Sequence, residues 1–282
     1  MIRPLVTRFA PSPTGYLHLG HVVNAIYVWG IAGAAGGRVL LRIEDHDRVR
    51  SRRENESALL EDLDWLGFHA DTGRNPLLRQ SDEEGAYADA LERLRRTHHV
   101  YACDCSRKAI GSERYPGTCR DRGLEELPGR GRRLQIDPGT ESFVDGLLGP
   151  QAQSPADEYG DLLLRDRDGH WAYQFAVTVD DDRQGITTVI RGTDLLSSTG
   201  RQIRLARMLG RAEPPMFLHH PLIVKASGEK LSKSNRDTGV RDLRRAGLTP
   251  QDVIGRAAAA VGLIEGERPV AAQAVRELFR RV

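Results

Sequence analysis

Near the N-terminus a short run with strand character is followed by apolar residues at a helical period, with a tight turn between them. Residues 5–9 form the run, which is typical of a strand, and residues 11–15 carry the prolines and glycine of a turn. The apolar positions that follow lie on one face of a helix: Leu19, Val22, Val23, Ile26 and Trp29. This order brings backbone N–H groups to a helix N-terminus, where phosphate binds favourably. The stretch is either a phosphate site beside His18 and His21 or an ordinary β–α turn with two surface histidines.

Similar patterns recur along the chain and favour an α/β fold. Apolar runs predict buried strands of a parallel sheet at residues 38–43, at 185–191 and within 214–224. Helical periods are found at residues 58–66, 77–96, 197–210, 240–245, 250–261 and 271–281. The strand at 38–43 ends in the polar residues 44–47, at the edge of the sheet where such folds bind ligands. Glu44 is therefore either a ligand-binding residue or part of a helix N-cap.

The middle of the chain is less regular. Residues 161–165 predict a strand, residues 166–169 a turn, and residues 171–175 the second strand of a hairpin. Residues 120–160 are rich in Gly, Pro, Arg and Asp, and they predict the irregular part of an inserted segment. Arg130, Arg132 and Arg133 in this segment either contact RNA phosphates or belong to a solvated basic loop.

Lysine is rare in this chain and clustered. It occurs at positions 108, 225, 230 and 233, so three of the four lysines lie within nine residues. The segment around them is rich in Gly and Ser and contains the sequence KLSKS at 230–234. Because arginine is the usual cation elsewhere, compact and mobile ammonium groups at this loop suit the neutralisation of a triphosphate. The alternative is a solvated basic loop.

Three cysteines lie close together in the sequence. Cys103 and Cys105 are separated by one residue, and Tyr115 and Cys119 follow after a segment marked by Gly and Pro. Three thiolates and a fourth protein ligand make a closed, tetrahedral structural zinc site. Tyrosine is an unusual ligand, so the spacing alone fits free thiols equally well. His98 and His99 are the substitutes if Tyr115 is not a ligand.

The composition limits the class of protein but does not identify its function. The chain has 282 residues, of which 39% are hydrophobic, enough for one or two globular domains with a sizeable core. Forty-one Lys and Arg against thirty-nine Asp and Glu give a net charge of +2, so any contact with nucleic acid must come from local patches. The N-terminus has no signal-peptide pattern and no apolar run has the length of a membrane span. We expect a cytoplasmic protein without membrane contact.

Four stretches together resemble a known family. They are RFAPSPTGYLHLGH at 8–21, RIEDHDRVR at 42–50, VIRGTDLLSSTGRQ at 189–202 and KLSKS at 230–234. HLGH and KLSKS are similar to the two ATP-binding motifs of class I aminoacyl-tRNA synthetases, and the other stretches are similar to the glutamyl and glutaminyl branch. The resemblance extends from about residue 3 to residue 235, and its motifs match in order and separation.

The resemblance implies a Rossmann-type doubly wound parallel sheet with an inserted acceptor-binding subdomain and a short helical C-terminal region. It implies boundaries at 1–85 and 166–225 for the two halves of the nucleotide fold, 86–165 for a zinc-containing insertion, and 226–282 for the KLSKS loop and helices. The implied zinc ligands are Cys103, Cys105, Tyr115 and Cys119. Magnesium is expected with ATP.

The resemblance also implies roles for individual residues. The catalytic residues would be His18, His21, Lys230 and Lys233. The ATP site would comprise His18, Gly20, His21, Lys230, Ser232 and Lys233. The glutamate site would comprise Arg8, Phe9, Ala10, Pro11, Ser12, Glu44, Tyr173 and Arg191.

By the same resemblance, Arg8 and Arg191 would bind the side-chain carboxylate of glutamate, because guanidinium groups pair bidentately with carboxylates. For Arg191 the alternative is a structural salt bridge to Asp194. Val177 stands where most full-length glutamyl enzymes have Asn, which leaves one contact to the amino acid unassigned.

The implied reaction is ATP-dependent formation of glutamyl-adenylate followed by transfer of glutamate to RNA. Because nothing after the last helices resembles an anticodon-binding domain, the chain is most similar to short members of the branch. These transfer glutamate to queuosine in the anticodon loop of tRNA(Asp). The alternatives are a truncated enzyme that charges the 3′ end of tRNA, a non-tRNA nucleotidyl transferase of the same fold, and a non-catalytic regulator that binds glutamate or tRNA. We expect a monomer.

Overall fold

The computed structural model describes residues 4–71, 77–111, 114–223 and 239–280. Within these ranges the strands are β1 Val6–Phe9, β2 Arg38–Ile43, β3 Leu78–Arg79, β4 Val100–Cys103, β5 Gly131–Leu134, β6 Glu141–Asp145, β7 Gly149–Gln153, β8 Leu162–Arg165, β9 Thr188–Gly192 and β10 Met216–His220. The helices are α1 Leu19–Ala34, α2 Arg53–Leu66, α3 Glu84–Thr97, α4 Arg107–Ile110, α5 Pro155–Tyr159, α6 Tyr173–Arg183, α7 Thr199–Met208, α8 Val240–Arg245 and α9 Pro250–Ala260. Short 3₁₀ helices occupy Gln80–Asp82, Thr193–Ser198 and Ala272–Phe279.

The chain divides into two compact units. The first unit comprises Met1–Arg79, Ile186–Leu195 and Phe217–Val282, and the second comprises Gln80–Gly185 and Leu196–Met216. None of the helices in the described ranges combines the length and apolar character needed to cross a bilayer.

A parallel sheet forms the centre of the first unit. β1 pairs in parallel with β2, and β2 with β3, as the sequence predicted for the first two of these strands. β9 lies on the other side of β1, because the N–H of Thr187 donates to the carbonyl of Val6 at 2.9 Å. β10 is hydrogen-bonded to β9. The strand order β3–β2–β1–β9–β10 places the β1–α1 turn and the ends of β2 and β9 at neighbouring positions of the sheet, which is the expected site of ligand binding in an α/β fold.

Helix α1 is buried on most of its surface because it packs between the sheet and the C-terminal helices. Val22, Val23 and Ile26 are each at most 1% exposed. Gly30 lets the 3₁₀ helix Ala272–Phe279 approach closely, since a methyl group at Gly30 would collide with the ring of Phe279.

The second unit is built on antiparallel strands. β4, β5 and β8 form a three-stranded antiparallel sheet, and β6 pairs with β7 in a hairpin. Helices α3 and α6 are joined by a buried polar cluster in which Asp180 accepts hydrogen bonds from Gln80 at 2.8 Å and from the hydroxyl of Tyr87 at 2.9 Å. Such a buried carboxylate requires these partners, because an unpaired buried charge is costly.

Several predictions for this middle region are wrong. The stretch 171–175 is not a strand, since helix α6 begins at Tyr173 and Trp171 forms only an isolated bridge to Arg165. Seven consecutive residues of α6, from Phe175 to Asp181, are buried, so the helix has no polar face to produce a helical period. The segment 120–160 is not irregular, because it contains β5, β6, β7 and α5. The predicted helix at 77–96 starts later, at Glu84, after β3 and a 3₁₀ turn. The last helix, predicted at 271–281, is a 3₁₀ helix.

Candidate functional site

The two histidines of the HLGH motif cap the N-terminus of α1. The Nδ1 atom of His18 accepts a hydrogen bond from the N–H of Gly20 at 3.1 Å, and Nδ1 of His21 accepts from the N–H of His18 at 3.1 Å. The ring centroids are 4.0 Å apart. A neutral imidazole that accepts at Nδ1 carries its proton on Nε2. This capping box therefore fixes the tautomer of both rings, with Nε2–H as the donor of each. Two N–H groups that the sequence assigned to phosphate binding are instead bonded to the histidines.

The residues after β1 and β2 lie next to each other. Arg8 and Phe9 belong to β1 and are 5% and 1% exposed, and Ala10, Pro11 and Ser12 follow. The N–H of Glu44 donates to the carbonyl of Pro11 at 3.0 Å, which joins the two strand ends. The structure thus brings residues 8–12 and Glu44, which are predicted to bind glutamate, together at one edge of the sheet.

Glu44 is held by an arginine that the sequence analysis did not identify. Nη2 of Arg42 donates to Oε1 of Glu44 at 3.0 Å, and the side chain of Arg42 is fully buried. A buried ion pair of this kind fixes the carboxylate in one orientation, because either partner alone would be a costly buried charge. The alternation of side chains along β2 was the available signal, since residues 42 and 44 lie on the same face of an extended chain.

Arg191 is held by a histidine in the same way. Arg191 lies in β9, is 4% exposed, and donates from Nε to Nε2 of His219 in β10 at 3.0 Å. Its guanidinium also lies 5.2 Å from the ring centroid of Phe217. Because His219 accepts at Nε2, its ring must be neutral and carry the proton on Nδ1. No sequence motif indicated His219, because the contact depends on the pairing of β9 with β10.

Tyr173, the remaining predicted glutamate contact, belongs to the second unit. It is the first residue of α6 and lines a pocket of about 340 Å³ in that unit. Val177 lies one turn further along α6 and is fully buried. It therefore packs in the interior of the second unit and offers no polar contact.

Lys230, Ser232 and Lys233 lie outside the described residues, so their predicted contacts with ATP stay predictions. The first described residue after that range, Gly239, forms an antiparallel bridge with His18. The N–H of Val240 donates to the carbonyl of Leu17 at 2.9 Å. Gly239 and Val240, where the described part of the chain resumes, therefore lie beside the HLGH motif.

The cysteines predicted to bind zinc form a compact cluster in the second unit. The Sγ atoms of Cys103, Cys105 and Cys119 all lie within 4.8 Å of one another. Sγ of Cys103 is 3.4 Å from the hydroxyl oxygen of Tyr115, and that oxygen accepts a hydrogen bond from the N–H of Cys119 at 2.8 Å. Three sulfur atoms and one phenolic oxygen thus converge, which is the donor set of a tetrahedral site. Among the described residues, His98 and His99 are not part of this group.

The surroundings of the cluster shift the pKa values of two thiols in opposite directions. Burial raises the pKa of Cys103, but hydrogen bonds with Tyr115, with the backbone of Cys105 and with Arg133 outweigh burial, and the net pKa lies below the ordinary value. Burial and the neighbouring sulfur atoms raise the pKa of Cys105 to about 11. The guanidinium of Arg133 lies 3.7 Å from the ring centroid of Tyr115, where it offsets the negative charge that thiolates would bring.

Comparisons with known proteins agree with these features. The family described as tRNA synthetases class I (E and Q), catalytic domain, matches residues 4–126 and 131–263. The chain is 44% identical over 279 residues to the glutamyl-Q tRNA(Asp) synthetase of Cupriavidus metallidurans, covering 94% of this chain and 87% of that protein. It is 41% identical over 281 residues to the protein of the same name from Nitratidesulfovibrio vulgaris, covering 91% and 86% of the two chains.

A solved structure shows the same fold. The glutamate tRNA ligase from Elizabethkingia meningosepticum, solved in complex with its amino acid, matches with a TM-score of 0.82 and 26% identity. The match covers 97% of this chain and 64% of that one, so the chain spans about two thirds of that ligase. The fold is therefore the Rossmann-like fold of class I synthetases. The chain belongs to the family of class I tRNA synthetases of the E and Q branch, which are ATP-dependent ligases, and corresponds to its catalytic domain.

Proposed function

We propose that the protein activates glutamate with ATP and transfers the glutamyl group to the queuosine of tRNA(Asp). The observation that carries the proposal is the set of buried charges at one sheet edge, Arg8, Glu44 and Arg191, in a chain with the HLGH motif. The names of the two relatives described above support the RNA acceptor. A cytoplasmic monomer is part of the same proposal.

Glutamate would be bound by groups of opposite charge at its two ends. Arg8 and Arg191 would pair with the γ-carboxylate, and the neutral amide of glutamine would leave their charges unpaired, which gives discrimination between the two amino acids. Glu44 would accept the α-ammonium at Oε2, since Oε1 already accepts from Arg42. Tyr173 would add a further contact.

The first step would be attack of the α-carboxylate oxygen on the α-phosphorus of ATP. A bond forms between this oxygen and the α-phosphorus, the bond between the α-phosphorus and the oxygen that bridges to the β-phosphorus breaks, and pyrophosphate leaves with that electron pair. This reaction requires positioning and charge neutralisation but no protein nucleophile. His18 and His21 would donate from Nε2 to phosphate oxygens, as their capping bonds dictate. Lys230 and Lys233 would neutralise the triphosphate, and Mg²⁺ would accompany ATP.

In the second step a hydroxyl of the RNA would attack the glutamyl carbonyl carbon. The ester forms, the bond to the phosphate oxygen breaks, and AMP leaves with that electron pair. The cyclopentenediol of queuosine would supply the hydroxyl.

Zinc would have a structural role in this proposal. Cys103, Cys105, Cys119 and Tyr115 would hold it, and a closed set of four protein ligands leaves no position for a substrate. The ion would fix the loops after β4 and around Tyr115.

A matched pair of tRNAs tests the proposal. Radiolabelled glutamate and ATP are supplied with tRNA(Asp) that carries queuosine, or with the same tRNA that carries guanosine at that position. We expect RNA-bound label only with the first substrate. Equal labelling of both RNAs would contradict queuosine as the acceptor and would favour charging of the 3′ end.

A further inference from the structure

Asp62 is a buried carboxylate with few polar contacts. It lies on α2, is fully buried, and neither of its carboxylate oxygens has a hydrogen-bond partner within the described part of the chain. Its one ion-pair partner among the described residues is Arg241 of α8, whose Nε lies 3.4 Å from Oδ1. Buried charges are normally both paired and hydrogen-bonded, because burial removes their hydration. A charge buried with so little compensation does not serve stability.

The charge on Asp62 lowers the stability of the fold at neutral pH. Burial raises the pKa of Asp62 to about 6, so above that pH the group is ionised at a cost to the folded state. The charges that face it are Arg241 and Arg244 from α8 and Glu61 from its own helix. Arg241 has a second partner, since its Nη2 donates to Oε2 of Glu61 at 2.7 Å. A neutral side chain at position 62 therefore leaves no buried charge without a partner.

Arg241 is the second residue of a helix whose start contacts the HLGH motif. The N–H of Val240 donates to the carbonyl of Leu17 at 2.9 Å, and Val240 is fully buried. Gly239 forms an antiparallel bridge with His18. The first residues of α8 therefore hold the backbone of Leu17 and His18 from one side.

Helix α2 holds the turn that precedes the same motif. The N–H of Arg52, the N-cap of α2, donates to the carbonyl of Pro13 at 3.1 Å, and Nδ2 of Asn55 donates to the same oxygen at 3.2 Å. The backbone that leads into α1 is thus held by α2 and by α8. The direction of the His18 ring depends on that backbone, because its Nδ1 accepts from an N–H at the start of α1.

We propose that the ion pair between Asp62 and Arg241 positions His18 for its contact with the phosphates of ATP. Asp62 is a positioning residue, since a fully buried carboxylate does not touch substrate. It holds Arg241 from the side of α2, and the start of α8 then holds the backbone of His18. The proposal rests on the proposed function, because it takes His18 as a donor to ATP. It gives a purpose to a charge that makes the fold less stable.

The test uses charge-removing variants and a matched control in the full-length protein. Asp62→Asn and Arg241→Gln each remove one charge of the pair, and the double variant removes both. Arg245→Gln removes a charge from the exposed side of the same helix α8. The kcat and the KM values for ATP and glutamate are measured by glutamate-dependent ATP–pyrophosphate exchange at neutral pH. Melting temperatures are measured in the same buffer.

We expect Asp62→Asn and Arg241→Gln each to lower kcat by about tenfold, because a small displacement of a catalytic group is costly in rate. The melting temperature of Asp62→Asn should equal or exceed that of the wild type. The KM for glutamate should be unchanged. The double variant should lose no more activity than the worse single variant, since two residues that act as a pair are not additive. Arg245→Gln should match the wild type in all respects.

Two results would overturn the positioning role. One is a wild-type kcat in Asp62→Asn, whether or not its melting temperature falls, which is the behaviour of a purely structural pair. The other is a double variant whose loss in kcat is the product of the two single losses, because the two residues would then act independently.

A wild-type protein without glutamate-dependent exchange fails the proposed function instead, and a second measurement then decides the role of the pair. The imidazole NMR signals of His18 are compared in the wild type and the variants. We expect them to shift in Asp62→Asn and to stay unchanged in Arg245→Gln. Identical His18 signals in all three proteins would show that the pair does not position this ring.

Discussion

Glu44 and Arg191, two charged groups of the first unit that are expected to bind glutamate, each have a buried polar neighbour that fixes them. Arg42 holds Glu44, and His219 holds Arg191. Long side chains lose considerable entropy when they are ordered, so a site that is ordered before substrate arrives binds its substrate more tightly. We therefore expect Arg42 and His219 to act on glutamate through the residues they position.

His219 can be tested by comparing two substitutions. His219→Ala removes the acceptor of Arg191 Nε, and we expect the KM for glutamate to rise about tenfold in glutamate-dependent ATP–pyrophosphate exchange, the cost of one charged hydrogen bond. His219→Gln keeps an acceptor oxygen and should recover part of the loss. The KM for ATP is the internal control. An equal rise in both KM values would indicate a general structural defect and would contradict a positioning role.

The cysteine cluster gives a second prediction at the residue scale. We expect the purified protein to contain about one zinc ion per chain, because four donors converge in closed geometry. Cys119→Ser should abolish the zinc content and lower the melting temperature, since bound metal stabilises only the folded state. Tyr115→Phe keeps the ring on Arg133 and removes only the hydroxyl. Full zinc content in Tyr115→Phe would show that Tyr115 is not a ligand, and absence of zinc from the wild type would contradict the site itself.

At the scale of elements, α1 links the sheet edge that is expected to bind glutamate to the C-terminal part of the first unit. Its N-terminus carries His18 and His21, and its middle packs on the 3₁₀ helix Ala272–Phe279 at Gly30. A change at that contact should therefore affect stability first.

Gly30→Ala tests this packing. Its methyl group would overlap the ring of Phe279, so we expect a loss of about 1–3 kcal/mol in the free energy of unfolding, the usual cost of overpacking. Gly85→Ala on α3 is a suitable control, because a methyl group there meets nothing within 4 Å. Urea denaturation measures both variants. A Gly30→Ala protein as stable as Gly85→Ala would contradict the close packing of α1.

Helix α2 buries a carboxylate that makes stability depend on pH. Asp62 is fully buried, and burial raises its pKa to about 6, against the opposing effect of Arg241 on α8. The unfolded chain has a lower pKa at this residue, so between about pH 4 and pH 6 the folded state binds more protons than the unfolded state. This group's contribution to stability is therefore present below pH 4 and is lost as the pH rises to 6.

Asp62→Asn should remove this dependence. We expect the decrease in stability between pH 4 and pH 6 to be smaller in the variant, by at most about 3 kcal/mol in the free energy of unfolding. Urea denaturation at closely spaced pH values gives the comparison. Parallel stability curves for the two proteins would show that Asp62 titrates normally in the folded state.

The helices and strands show which parts of the fold could be predicted from the sequence. The sequence patterns predicted four elements of the first unit correctly, because most residues of each element are buried in the core. These elements are β1, β2, β9 and α1. Helix α6 was mistaken for a strand because seven consecutive buried residues hide the helical period. Strands β5 and β7 carry Arg, Gly and Pro instead of an apolar pattern; β5 pairs with β4 and β8, and β7 pairs with β6 in a hairpin. His219 was missed because its contact with Arg191 depends on the pairing of β9 with β10. Arg42 was missed although its partner Glu44 lies only two residues further along the chain, on the same face of the extended segment.

For the whole molecule, the balanced charge places RNA recognition in local sites. A net charge of +2 on 282 residues provides no long-range attraction for a polyanion, so specific contacts must carry the selection of the acceptor. We expect the sheet edge of the first unit to provide the glutamate contacts.

The most direct test of the central claim is the position of the transferred glutamate. Queuosine-containing tRNA(Asp) is incubated with ATP, radiolabelled glutamate and the protein, then digested with ribonuclease T1 under mildly acidic conditions that preserve the ester. The fragments are separated and counted. We expect the label in the anticodon-loop fragment that contains queuosine. Label on the 3′-terminal fragment would contradict the account and would make the protein a charging enzyme.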